Sequence, residues 1–197
     1  MKMVLASKNA HKLVEMKDIL SQLGVEVVLE SDVGVDVDVE ETGTTFEENA
    51  YLKAHVVMKA SGLPAIADDS GLCVDALNGA PGVYSARYGG EGLDDTGRYR
   101  LLLENMRGQP PRTAKFVSVI TCCFPNGDVL SARGECPGTI AFAPMGEGGF
   151  GYDPVFFIPS LKKTFAQFSP EEKNAISHRG KALEAFQVKL EEYLKKN

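Results

Sequence analysis

The chain has 197 residues, 44% of them hydrophobic, enough for one sizeable domain over 1–197 or two closely packed lobes sharing a core. Lys plus Arg number 21 against 27 Asp plus Glu, and the net charge of −6 with a pI near 5.2 leaves no basic footprint for nucleic acid, so phosphate recognition is confined to a local pocket around a small ligand. Four cysteines (Cys73, Cys122, Cys123, Cys136) with no C-x-x-C pair and three scattered histidines (His11, His55, His178) argue against zinc and suit a reducing cytoplasm, while no apolar run reaches the length of a signal peptide or membrane span.

Residues 2 to 6 read as a buried strand, followed by the turn Ser7-Lys8-Asn9-Ala10 and a helix with Leu13, Met16, Ile19, Leu20 and Leu23 on one stripe, stopped by Gly24. Lys8, His11 and Lys12 crowd the positive end of that helix, where acidic groups are normally favoured. An anion held by free backbone N–H groups with Asn9 and Lys12 would explain the violation; a solvated lysine on an exposed turn is the alternative. The loop is not a Walker P-loop, because G-x-x-x-x-G-K-[ST] is absent.

Val25 to Leu29 forms a second strand, and the acidic stretch from Glu30 to Glu41 reads mostly as surface charge. Glu40 and Glu41 lie just before Thr45 and Glu48, whose spacing suits a capping box opening a helix to about Gly62. On that helix Phe46, Asn49, Ala50 and Lys53 share a face too polar for core and too apolar for surface, which suggests a pocket wall. Lys53 snorkelling from a half-buried face is the bland alternative.

Next comes Ala65-Ile66-Ala67-Asp68-Asp69-Ser70-Gly71-Leu72-Cys73-Val74, where two apolar runs flank adjacent carboxylates. Asp is a poor strand residue, so a pair at the end of a buried strand needs solvent or a cation. Mg²⁺, which binds through one or two carboxylates and completes its shell with water and phosphates, is one reading. An Asx-type turn with Gly71 at the reversal is the other.

Asn78 to Arg87 is a loop ordered by its own packing, in which Ser85 and Arg87 could assist with phosphate. Asp94 to Arg107 forms a helix, and Lys115–Phe124 with Val129–Cys136 a hairpin around Asn126-Gly127, so the sheet is mixed. Cys122 and Cys123, neighbours in a strand, are expected on opposite faces as small core residues. Gly146 to Gly151 matches G-x-G-x-x-G but is rejected as a dinucleotide fingerprint, because Tyr152 to Ile158 reads as a strand and not a helix. Phe150, between glycines, either stacks on a planar ligand or plugs the core. Ser169, Pro170 and Glu172 mark a helix start, and a terminal amphipathic helix carries Leu183, Phe186, Leu190 and Leu194. Lys173, His178 and Arg179 bracket its beginning and suggest polar recognition, although capping and solvation would explain each singly.

Taken together, Ser7-Lys8-Asn9-Ala10-His11-Lys12, Glu40 to Gly43 with Thr45, Phe46, Asn49 and Ala50, Lys53, Ala67 to Leu72, Pro81 to Arg87, Gly149 to Pro154, Lys173 and Ser177 to Gly180 resemble the inosine triphosphate pyrophosphatase family, the XTP/dITP diphosphatases. The resemblance implies an elongated mixed α/β fold of two lobes around a nucleotide cleft, usually a homodimer. It implies Mg²⁺-dependent hydrolysis of ITP, dITP and XTP to monophosphate and pyrophosphate. Ser7, Lys8, Asn9, Ala10, His11, Lys12, Lys53 and Lys173 would hold the triphosphate. Asp69 would bind metal and act as base, Glu40 or Glu41 with Asp68 would support the metal, and Ser70 would touch substrate. Phe150, Gly151, Tyr152 and Asp153 with His178 and Arg179 would hold the base. A full metal ligand is a poor free base, so the proton acceptor stays open between Asp69 and Asp68.

Overall fold

The computed structural model describes residues 1–197. β1 (Lys2–Leu5) buries Met3 and Leu5 on one side and Val4 on the other, as befits a strand covered on both faces. α1 (Ala10–Leu20) packs Met16 and Leu20 onto the Met3 side and tightens into the 3₁₀ turn Ser21–Leu23, ended by Gly24 at φ 70°. β2 (Glu26–Leu29) returns parallel to β1. Glu30, expected among surface charges, is buried directly after it. α2 (Phe46–Ser61) starts where Thr45 Oγ1 accepts from the Glu48 N–H at 3.1 Å, but the other half of the expected box is shifted. Glu48 Oε2 instead accepts from the Thr44 N–H at 2.6 Å.

β3 (Ala65–Val74) corrects the expectation that a strand ends at Asp68-Asp69. It runs unbroken for 10 residues with both carboxylates buried inside it, so the turn reading is overturned. α3 (Asp95–Asn105) is capped by Asp94, whose Oδ1 accepts from the Gly97 N–H at 2.7 Å. β4 (Thr113–Cys123) and β5 (Val129–Ile140) form the expected hairpin, in which Gly127 alone takes the left-handed region at φ 97°: a tight turn closed by a glycine bulge. The strand expected over 152–158 is shorter, because Pro154 sits in a 3₁₀ turn and only β6 (Phe156–Ile158) is extended. β7 (Lys163–Thr164) follows, then α4 (Pro170–Ile176), whose Ser169 and Glu172 make the full capping box, and α5 (His178–Lys196).

The sheet has seven strands in the order β2-β1-β3-β4-β5-β6-β7, with β1 parallel to β2 and β3 and with β6 antiparallel to both neighbours, so it is mixed as expected. β3 holds an interior position in that ladder, and its backbone partners outweigh the poor strand propensity of two aspartates.

The chain divides into two compact units, one of Met1–Asp69, Ser118–Gly134 and Ala182–Asn197, the other of Ser70–Val117 and Glu135–Lys181. The first unit has a core on each sheet face. Cys122 joins the face covered by α1 and α5, and Cys123 joins the face with Val57 and Met58 of α2, as strand alternation requires. The second unit closes around Leu72, Leu102, Met106, Phe116, Phe156 and Phe165. On α5, Leu183, Phe186 and Leu190 are buried as the amphipathic pattern anticipates. Phe186→Ala should therefore cost about 3–5 kcal/mol of stability, read from the shift of a urea unfolding midpoint. A loss under about 1 kcal/mol would mean that α5 does not close this core.

Candidate active site

In the first unit the acidic pair of β3 meets lysines from two helices. Lys12, in the first turn of α1, donates to Asp68 Oδ1 at 2.8 Å. Lys53, one α2 turn beyond Asn49, donates to the Asp68 backbone carbonyl at 2.6 Å and lies 3.0 Å from Glu41 Oε1 and 3.7 Å from Asp69 Oδ1. Asn49 is fully buried, and its Oδ1 accepts from the Gly43 N–H at 2.8 Å. A Cβ on Gly43 would fall 2.6 Å from that oxygen, so only glycine lets the Glu41 segment approach α2 this closely.

Asp69 is the electrostatic centre of the cluster. Its carboxyl is raised to about 6 in all: burial raises it most, Lys53 and Asn49 pull it down, and Glu41 and Asp68 push it up. Its Oδ2 is buried and receives no hydrogen bond. That oxygen, with the carboxylates of Glu41 and Asp68 nearby and no thiol or imidazole among them, suits a hard cation. No three acidic, His or Cys side chains converge into a preformed cage. Mg²⁺ asks for none, since it keeps water and borrows phosphate oxygens.

The α1 end is only partly as expected. Asn9 is its N-cap, and Asn9 Oδ1 accepts from the His11 N–H at 2.9 Å. No acidic residue occupies the first turn, whereas α2 and α4 each carry two there, so no carboxylate competes for this helix end. Lys8 has other partners than Lys12: it is exposed and pairs with Asp36 at 3.2 Å and Asp38 at 3.3 Å, which raises its pKa. His11 and Glu40 are exposed, and of the glutamate pair it is Glu41 that reaches Lys53.

The second unit holds a pocket of about 230 Å³, lined among others by Ser70, Phe116, Phe150, Asp153, Lys173, His178 and Arg179. His178 stacks on Phe116 with centroids 4.7 Å apart. Lys173, expected with the triphosphate, sits here. It donates to Asp153 Oδ2 at 2.6 Å, and its ammonium lies 4.5 Å from the Phe150 ring centroid. Burial raises the Asp153 carboxyl while Lys173, the Phe150 N–H and Arg179 lower it. Phe150 is 63% exposed, so it does not plug the core.

The glycine loop is clamped by two carboxylates. The Phe150 N–H donates to Asp153 Oδ2 at 3.0 Å and the Gly151 N–H to Asp95 Oδ2 at 2.9 Å, while the Asp153 N–H returns to the Phe150 carbonyl. The Phe150, Gly151 and Asp153 N–H groups are therefore engaged internally, while the side chains of His178 and Arg179 line the pocket. Gly149, at φ 70°, has no room for a Cβ because it would run into the Asp153 carboxylate.

Asp95, Arg98 and Phe116 were not anticipated. A second aspartate at a helix start reads as dipole charge, and an alternating Phe in a strand reads as core, so neither carries its own signal. Ser85 was read as able to assist with phosphate, but its Oγ ties the loop to β3, donating to the Gly82 carbonyl at 2.7 Å and accepting from the Leu72 N–H at 2.9 Å. Arg87 lies over the Tyr84 ring. Asp95→Ala should free the Gly151 N–H and raise KM for a purine triphosphate by up to about tenfold, the scale of one charge-assisted hydrogen bond, with kcat within about twofold. Steady-state kinetics read both, and an unchanged KM would remove Asp95 from loop positioning.

An α/β sheet that gathers buried acid, lysines and a helix N-terminus carries the chemistry of a phosphate-handling protein. The chain belongs to the Ham1 family, whose model matches residues 3–189. A dITP/XTP pyrophosphatase of Exiguobacterium is 46% identical over 195 residues, spanning 99% of this chain and 100% of that protein. One from Escherichia coli K12 is 51% identical over 186 residues, spanning 92% and 94%. Among solved structures, the Staphylococcus aureus Ham1 protein superposes with a TM-score of 0.93 at 45% identity, covering 98% of this chain and 100% of that one.

Proposed function

We propose that this chain is a nucleoside triphosphate pyrophosphatase that hydrolyses ITP, dITP and XTP to the monophosphate and pyrophosphate with Mg²⁺, and so cleanses the nucleotide pool. The observation that carries the reading is Asp69: a buried carboxyl raised to about 6, with one oxygen open and Lys53 3.7 Å from the other. Family membership and the names of the relatives support the reaction class.

In this reading the first unit binds the triphosphate. The α1 N-terminus with Ser7, Asn9, Ala10 and Lys12 holds phosphate oxygens, and Lys53 neutralises the departing pyrophosphate. Asp69 and Glu41 would hold Mg²⁺, which neutralises phosphate charge when bound. Asp68 acts through Lys12 and fixes its ammonium. Of the two, Asp69 is the better partner for the attacking water: one of its oxygens would face the metal and the other accept from the water, whereas Asp68 Oδ1 already accepts from Lys12. In the second unit His178 and Arg179 read the base and Phe150 lies against it, with Lys173 holding Asp153. Ser70 lines that pocket.

A panel of ITP, XTP, dITP and the four standard triphosphates, assayed with Mg²⁺ and after chelation, tests the proposal. Turnover should fall to background with chelator and return with added Mg²⁺. Turnover that survives chelation, or a preference for standard nucleotides, would overturn it. The same resemblance supports a cytoplasmic homodimer, which light scattering checks. All four cysteines are free thiols, and no helix is long and apolar enough to cross a membrane.

A further inference from the structure

Apart from the pocket above, the second unit carries a groove of about 570 Å³ that shares none of its residues. One wall is α3 and the turn after it, where Arg100, Leu103, Glu104 and Arg107 follow at i, i+3, i+4 and i+7 and form a single stripe. Facing them are Arg112 and Phe142.

Arg112 is held before any ligand arrives. Its Nε donates to the Ile140 carbonyl at 2.8 Å, its Nη2 to the Ala141 carbonyl at 2.8 Å, and its guanidinium lies 4.0 Å from the Phe142 ring centroid. These partners are neutral. Burial lowers its pKa and no carboxylate pulls it back, so a half-buried guanidinium carries its charge without a counter-ion. Arg100 is exposed and forms no ion pair, while Arg107 pairs with Glu104 at 3.2 Å on the surface. The groove therefore gathers three guanidinia against one carboxylate in a chain of net charge −6. Phe142 is 85% exposed: one face meets Arg112, and the ring is otherwise open to a planar partner.

We propose that this groove is a second anion site that takes a nucleoside polyphosphate, its phosphates on Arg100, Arg107 and Arg112 and its base against Phe142. Guanidinium forks match phosphate oxygens in pairs, and a side chain already locked by two carbonyls and a ring loses little freedom on binding. The volume lies in the range of small-molecule sites. Inorganic tripolyphosphate presents the same charges without a base, so it separates the two halves of the claim.

Calorimetric titration of the full chain with ATP and with tripolyphosphate tests the site. ATP should bind with a component that persists in Lys53→Ala, where the first unit's phosphate cluster is impaired. Arg100→Glu, an exposed position with no partner to lose, should weaken that component at least tenfold and leave ITP turnover unchanged. Phe142→Ala should weaken ATP and spare tripolyphosphate. Arg112→Gln should also weaken both ligands, and circular dichroism checks that its loop still folds. A single ATP site abolished by Lys53→Ala, or ATP binding indifferent to Arg100→Glu, would overturn the proposal. Equal responses of the two ligands to Phe142→Ala would remove the base from it. A change of molecular mass in Arg100→Glu with ATP binding intact would make the groove a contact between copies, and the proposal would fall.

Discussion

Replacing Asp69 by Asn is expected to lower kcat/KM for ITP by about 10²–10⁴-fold and, at the same time, to stabilise the ligand-free protein near pH 7.5. The first effect is loss of the proton acceptor, and weaker metal binding would deepen it. The second follows from linkage. The Asp69 carboxyl is raised from 3.8 to about 6 by burial first, so the folded state holds this proton more tightly than the unfolded state does. Ionising it therefore opposes folding: not at all below 3.8, progressively between 3.8 and 6, and fully above. A shift of that size corresponds to about 3 kcal/mol with the attraction of Lys53 already counted, and the buried Asn amide, with hydrogen bonds of its own to satisfy, reduces the gain. Asn carries no charge to bury. For a chain of this length a gain of about 2 kcal/mol raises Tm by about 4–8 °C, and the gain should shrink towards zero near pH 4, where Asp69 itself is protonated. Scanning calorimetry at the two pH values reads the difference. A variant that turns over normally, or one equally shifted at both pH values, would remove Asp69 from the centre of the site.

Arg179→Ala is expected to erase part of the discrimination between purines, with kcat/KM for ITP falling by as much as about 10²-fold and residual ATP turnover falling far less. A 6-oxo purine presents an acceptor where adenine presents an amino donor, so side-chain donors in a buried pocket favour hypoxanthine and xanthine and leave adenine with mismatched donors. The clamp on the glycine loop strengthens the assignment to side chains, because the Phe150 and Gly151 N–H groups already serve Asp153 and Asp95. Arg179 also pulls the Asp153 carboxyl down against the upward push of burial, a role that does not depend on the base. Equal losses for ITP and ATP would therefore move Arg179 from base reading to pocket integrity, and partial recovery of the preference in Arg179→Lys would support a donor role.

Local rules carried the fold a long way. Thr45 and Ser169 start their helices, Gly24 and Gly62 end theirs, and Cys122 and Cys123 separate to opposite faces, each from chemistry confined to a few neighbours. What escaped depends on partners distant in the chain. Asp68 and Asp69 read as a strand end because propensity is local, whereas an interior place in the ladder keeps β3 extended through them. Lys8 reads as a phosphate ligand from its place before α1, and its ion pairs with Asp36 and Asp38, 28 and 30 residues away, have no local signal. Lys173 could be recognised as part of a polar constellation, but only the folded chain shows it against Asp153 and Phe150. Asp95 was hidden by a sufficient local explanation, and a residue that satisfies one role gives no sign of a second.

The most direct test of the account is to identify the products of ITP hydrolysis by phosphorus NMR in the presence of Mg²⁺. If the first unit's lysines hold a leaving pyrophosphate while Asp69 serves an attack between the α- and β-phosphates, inosine monophosphate and pyrophosphate appear together in equal amounts from the first turnover. Inosine diphosphate with orthophosphate would place the attack at the γ-phosphate and contradict the account.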